Sequence, residues 1–234
     1  FGSKRFKAVN FNGFQIHKAR EKSTLIVSCL DNLKQVGYTA PFTMKQIAKQ
    51  IFQAVMAAKH ILVIPHQNPD GDALGSAGAL MQWLTTLDKP HTAFCATLSS
   101  PRLTHLPHAD RITTDHSIWQ NPVFDTIIVV DSGDLRYAGV AAFIDTLALK
   151  PTIINFDHHA TNEHFGTYNM VDSSMSSTTE MLYHFFRHND VTIDTTMATS
   201  LLTGLMTDTD SFTNGATSHR SLAIGSELIK KGGS

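Results

Sequence analysis

Three short apolar runs, Ile61 to Pro65, Asp125 to Val130 and Thr152 to Phe156, each lead straight into a loop crowded with carboxylate and imidazole side chains. No other feature constrains the fold as tightly. Runs of strand length with almost no polar interruption suit strands buried on both faces, and such strands occur in parallel sheets covered by helices. The segments between them carry helical spacing. Thr43 and Gln46 form a capping box ahead of Ile47, Ile51, Val55 and Ala58. Helices are also expected over Ala73 to Leu87, Leu135 to Leu147, 176–188, 195–206 and 217–231, and a further strand over Thr92 to Ala96. Residues 97–122, rich in Pro, Ser, Thr and His, read as loops with short helices. This alternation predicts an α/β fold: a doubly wound, mostly parallel sheet flanked by helices.

Charge and composition narrow the function classes. A net charge of −1 offers no broad basic field for long duplex nucleic acid, whereas a small phosphorylated ligand held through metal ions stays open. Histidine is unusually abundant, 13 residues against 19 Lys plus Arg, which points to metal ligands or proton carriers. Cys29 and Cys95 fit no zinc spacing, and a disulfide scaffold is implausible in a chain this long, so a cytoplasmic location is expected. No apolar run reaches the roughly 18–20 residues of a membrane span, and no membrane partner is expected. Ser23 to Leu30 follows several basic residues and faintly resembles a signal segment, but its apolar core is short.

Open α/β sheets bind ligands in the loops just past the carboxyl ends of their strands. Here those loops read His66-Gln-Asn-Pro-Asp70-Gly-Asp72, then Asp131-Ser-Gly-Asp134, then Asp157-His158-His159, with Thr207-Asp208-Thr209-Asp210 after a helical stretch. Carboxylates mixed with imidazole and free of thiolate suit a hard or borderline divalent ion such as Mn²⁺ or Mg²⁺, and imidazole shifts the balance towards Mn²⁺, Co²⁺ or Fe²⁺. There are more ligand-type side chains than one ion needs, so a metal pair sharing a bridging carboxylate is the economical reading. Two ions about 3.5–4 Å apart can hold a bridging hydroxide as nucleophile and clamp phosphoryl oxygens. Each cluster also has a plain structural explanation. Asp70 and Asp72 could serve a turn and a helix N-cap, Asp131 could cap a following helix, and Asp157-His158-His159 could be a polar loop. All of these would have to hold together at one sheet edge.

Taken in order, His66-x-x-x-Asp70-x-Asp72, a strand ending in Asp131, Asp157-His158-His159 and Thr207-Asp208-Thr209 resemble the four motifs of the DHH phosphoesterase family. The strings HQNPDGDALGS and TGLMTDTDSF look most like its nanoRNase branch, whose members degrade short oligoribonucleotides and remove the 3′-phosphate of pAp. The resemblance implies a divalent-metal (Mn²⁺) phosphoesterase using two metal ions, with Mg²⁺ or Co²⁺ as alternatives. It places one ion on His66, Asp70 and Asp131, and the second on Asp72, Asp131, His158 and Asp208. His159 would face the substrate phosphate, and Asp157 would orient the imidazoles. Ser76, Arg136 and Arg220 are candidate substrate contacts, with Ser76 equally readable as a small residue allowing close helix packing beside Gly75 and Gly78. Arg102 and Arg187 read as surface residues; His105, His108 and His116 as exposed loop; and Met170, Met175, Met181, Leu182 and Phe185 as core.

The sequence departs from the family in two places. Asp210 stands where many relatives carry Gly, which adds charge beside the site. The family also continues into a smaller DHHA1 domain with a glycine-rich motif and basic substrate contacts, and this chain ends just after Lys231, where that linker is expected. The reading is therefore an N-terminal segment of unassigned role over 1–42, a DHH catalytic domain over 43–231 and a linker remnant over 232–234. The expected partner is a small nucleotide or short oligonucleotide, with a homodimer open. A cyclic dinucleotide, single-stranded DNA or pyrophosphate are alternative substrates, and a weakly active nucleotide- or metal-binding fragment is the alternative outside the enzyme class.

Overall fold

The computed structural model describes residues 43–97 and 99–234. The expectations for 1–42, including the segment Ser23 to Leu30 and Cys29, lie outside the described residues. Helix α1 (Met44–Ala57) opens with the expected capping box, Thr43 and Gln46 each satisfying the other's backbone. Strand β1 (Ile61–Pro65) leads into α2 (Gly71–Thr86), followed by β2 (His91–Phe94) and β3 (Ile112–Thr113). Then come β4 (Thr126–Val130), α3 (Ala141–Thr146), β5 (Thr152–Asp157) and β6 (Tyr168–Val171). Helices α4 (Thr178–His188), α5 (Thr195–Asp208) and α6 (His219–Lys230) complete the domain. No described helix is long and apolar enough to cross a membrane.

The six strands pair in parallel in the order β3-β2-β1-β4-β5-β6. The chain first builds outward from β1 through β2 to β3, then returns to the other side of β1 with β4. The crevice between β1 and β4 is thus the topological switch point, where doubly wound sheets bind ligands. Strand alternation accounts for the unbroken apolar runs. Ile61, Val63, Ile128, Val130, Ile154 and Phe156 enter one core with Trp83, Phe185 and Phe186, while Leu62, Ile64, Ile127 and Val129 enter a second core with Phe94 and Trp119. Met170, Met175, Met181, Leu182 and Phe185 are buried, as expected.

One expected helix differs, and two strands were not expected. The helix predicted over Leu135 to Leu147 is present only from Ala141. Before it, the Asp134 carboxylate accepts the Arg136 and Tyr137 N–H groups in a tight turn that Gly139 closes at φ +74°, a backbone that disfavours side chains. Strands β3 and β6 are the two sheet edges. The first has two residues and the second is half-buried, so neither shows an apolar run.

Candidate metal centre

Every loop singled out in the sequence reaches the same edge of the sheet. His66 follows β1. Asp70 is the N-cap of α2, its Oδ1 accepting from the Asp72 and Ala73 N–H groups at 2.9 and 3.1 Å. Asp131 follows β4 in a left-handed conformation, φ +57°, in the sparsely populated region that Asp tolerates better than most residues. Asp157 ends β5, His158 and His159 follow it, and Asp208 is the last residue of α5. The carboxyl end of a helix carries partial negative charge, which favours a cation beside Asp208.

The side chains converge in three groups: His66, Asp70 and Asp131; Asp131, His158 and His159; and Asp72, His158 and Asp208. In each group the potential ligand atoms lie within 4.8 Å of one another. His66 Nε2 lies 3.5 Å from Asp131 and 3.9 Å from Asp70, while His158 Nε2 lies 3.1 Å from Asp208 and 3.7 Å from Asp131. Both rings are oriented from behind. The Nδ1 of His66 faces the Gln67 carbonyl at 2.8 Å, and that of His158 faces the Met175 carbonyl at 3.4 Å. Each Nε2 is thereby turned into the cluster, the arrangement by which backbone carbonyls set the tautomer of metal-binding histidines.

Asp157 is fully buried under His159, its Oδ1 2.7 Å from His159 Nδ1, while its Oδ2 accepts from Asn162 Nδ2 at 2.6 Å. The His159 side chain is 47% exposed, so this imidazole stands at the mouth of the cluster.

Electrostatically the cluster is starved of positive charge. Burial, reinforced by Asp131 and Asp208, holds the Asp72 carboxyl well above its ordinary range. Burial also raises Asp208. Asp131 moves the other way: burial opposes its charge, but the contacts with His66 and His158 outweigh that and lower it. For His158, burial opposes protonation, yet Asp208, Asp72 and Asp131 prevail and push its pKa up to about 9. His159 is raised chiefly by its bond to Asp157. The protons sit where a divalent cation would otherwise balance the carboxylates.

Several contributors carry no signal in the sequence reading. Thr178 donates its Oγ1–H to Asp131 at 2.8 Å and its N–H to Asp72 at 2.6 Å, and the Thr179 N–H adds a bond to Asp72 at 3.0 Å. The first turn of α4 thus grips a buried carboxylate with free helix N–H groups. The helix expected over 176–188 takes in this stretch, but nothing local says that its donors meet carboxylates 106 and 47 residues earlier. Tyr137 stacks on His66 at 5.0 Å between ring centroids and is itself 49% exposed.

The three suggested substrate contacts are placed differently. Ser76 is fully buried in α2, its Oγ meeting no hydrogen-bond partner among the described residues. Arg136, 76% exposed, pairs with Glu163 at 3.0 Å, and Arg220 donates to the Ser174 carbonyl at 2.7 Å.

A doubly wound parallel sheet with a shared carboxylate at its switch point, flanked by further carboxylates and imidazoles, defines an α/β protein built around a divalent-metal type of site. The chain belongs to the DHH family: residues 60–205 match the DHH family, N-terminal domain. It is 27% identical over 193 residues to the probable bifunctional oligoribonuclease and PAP phosphatase NrnA of Streptococcus mutans, covering 78% of this chain and 56% of that protein. It is 31% identical over 173 residues to the bifunctional oligoribonuclease and PAP phosphatase NrnA of Thermus thermophilus, covering 74% of this chain and 50% of that one. Among solved structures, an exopolyphosphatase-related protein from Bacteroides fragilis superposes with a TM-score of 0.72 at 25% identity, covering 80% of this chain and 56% of that chain. The chain spans about half the length of the curated relatives it matches.

Proposed function

We propose that this chain is the metal-binding half of a divalent-metal-dependent phosphoesterase, hydrolysing short oligoribonucleotides or the 3′-phosphate of a nucleotide such as pAp. The observation that carries this is Asp131, a buried carboxylate common to two of the three clusters of potential ligands. The donor set fits a pair of Mn²⁺ ions: His66, Asp70 and Asp131 for one, Asp72, Asp131, His158 and Asp208 for the other, with Mg²⁺ or Co²⁺ as alternatives. Such a pair would supply Lewis acidity and an acidified water. The chain's own side chains do the rest. Thr178 and Thr179 hold Asp72 and Asp131 in register. His159, braced by Asp157, presents a half-exposed imidazole able to donate to a phosphoryl oxygen or to a leaving alkoxide. The relatives' names, NrnA, favour oligoribonucleotide and pAp substrates over cyclic dinucleotides or pyrophosphate.

The test is hydrolysis of pAp, pApA, cyclic di-AMP, pyrophosphate and single-stranded DNA with Mn²⁺, by the wild type and Asp131→Ala. Cleavage of pAp and pApA is expected in the wild type. In the variant, a loss of at least about a thousandfold is expected together with loss of Mn²⁺ binding, because two ions lose their common ligand. Retention of both ions by the variant would overturn the bridging role of Asp131.

A further inference from the structure

Glu180 is a charged side chain with no solvent exposure, lying in the first turn of α4 outside the carboxylate cluster. Its Oε2 accepts the Ser176 N–H at 2.8 Å. Its Oε1 lies 3.7 Å from Arg220 Nε and 3.9 Å from His184 Nε2. Burial opposes its charge, but contacts with His184, Ser176 and Arg220 prevail and keep the carboxyl below its usual range. A buried carboxylate is costly when left unpaired; here Oε2 is hydrogen-bonded, while Oε1 makes no hydrogen bond among the described residues and depends on Arg220 and His184 staying close.

Arg220 reaches the same spot from α6. Its Nη2 donates to the Ser174 carbonyl at 2.7 Å while its Nε faces Glu180. The two residues therefore grip one short segment, Arg220 at the Ser174 carbonyl and Glu180 at the Ser176 amide. That segment carries much of the support for the cluster. The Met175 carbonyl faces His158 Nδ1, the Ser177 side chain caps α4, and Thr178 and Thr179 bind Asp72 and Asp131.

We propose that Glu180 and Arg220 form a positioning brace that fixes the Ser174–Thr179 segment and, through it, the orientation of His158, Asp72 and Asp131. This turns Arg220 from a phosphate contact into a residue acting through the backbone. Two of the three guanidinium nitrogens face the protein, Nη2 donating to the Ser174 carbonyl and Nε lying 3.7 Å from Glu180, with the side chain 40% exposed. The proposal rests on the metal-site reading only for its second readout.

Two measurements on the whole chain test it, using Arg220→Ala, Arg220→Lys and the near-isosteric Glu180→Gln. The first is amide hydrogen exchange in the metal-free protein. Exchange at Thr178 and Thr179 is expected to accelerate at least about tenfold in Arg220→Ala and Glu180→Gln, with β1 and β4 unchanged, because local opening is separable from global unfolding. The second is Mn²⁺ affinity by calorimetry, expected to fall roughly 10–100-fold, the usual loss when the support behind a ligand is removed. Arg220→Lys should recover part of both, since an ammonium can still meet the Ser174 carbonyl. Unchanged exchange and unchanged Mn²⁺ affinity with a raised KM would make Arg220 a substrate contact and overturn the brace. Exchange accelerated equally in β1 and β4, with Mn²⁺ affinity unchanged, would reduce the pair to general stability and overturn it too. If the wild type bound no Mn²⁺, the metal-site reading would fall while the exchange pattern still decided the brace.

Discussion

Asp70 holds two roles at once, and they can be separated. Its Oδ1 caps α2, and it stands beside His66 and Asp131 in the cluster. Asn caps helices about as well as Asp, but as a neutral amide it is a poor ligand for a hard cation. Asp70→Asn is therefore expected to leave metal-free stability within roughly 0.5 kcal/mol while weakening Mn²⁺ binding at least about tenfold. Asp70→Ala should lose about 1 kcal/mol in addition. Urea unfolding in EDTA and calorimetric titration with Mn²⁺ check the two halves separately. The turn-and-cap explanation open at the sequence level is thus correct in its geometry for Asp70, and it coexists with the cluster. At this scale the sequence displayed the residue types completely, because carboxylate and imidazole at strand ends are visible in any reading. It was silent on Thr178, Thr179 and Asn162, whose importance depends entirely on distant partners.

Among the elements, α2 packs tightly against α5, and glycine permits it. A Cβ added at Gly75 would collide with the Ser200 carbonyl, and one at Gly204 would meet the Thr179 side chain and come within 2.5 Å of Asp72 Oδ1. Gly204→Ala is accordingly expected to cost about 1–3 kcal/mol through overpacking and to displace the Asp72 carboxylate. The expected signature is a lowered Tm in EDTA together with Mn²⁺ affinity reduced by more than the Tm loss accounts for. Unaltered Mn²⁺ binding would show that α5 can slide without moving Asp72. Ser76 with Gly75 and Gly78 was legible as a small-residue packing surface, and all three lie on the same buried helix. The neighbouring helix was not legible, since small residues signal close approach without saying what approaches. The shortened α3 has the same lesson: Leu135 to Leu147 has a helical period, but the turn bonds to Asp134 and the left-handed Gly139 outweigh it locally.

For the whole molecule, the cluster sets an opposition between stability and metal loading. In the metal-free protein the folded pKa of His158, about 9, exceeds its ordinary 6.5. A group raised in this way stabilises the fold fully below its unfolded value and loses that contribution as pH climbs through the folded one. The Tm in EDTA is expected to fall between about pH 6.5 and 9, while Mn²⁺ affinity rises across the same window, because ligation requires the imidazole to shed its proton. Thermal melts at several pH values, with and without Mn²⁺, check both arms; a Tm in EDTA that rose with pH would contradict the charge balance described for the site. What the sequence by itself determined was the four inner strands of the six and most helices, the parallel α/β class and the four ligand-bearing loops, since these follow from apolar period, capping and turn chemistry within a few residues. Only the tertiary structure decided that β4 lies beside β1, that Asp131 therefore sits between His66 and His158, and that α4 and α6 supply the bonds behind them. Strand order and helix packing are settled by burial summed over the whole chain, and no local stretch of sequence contains that sum.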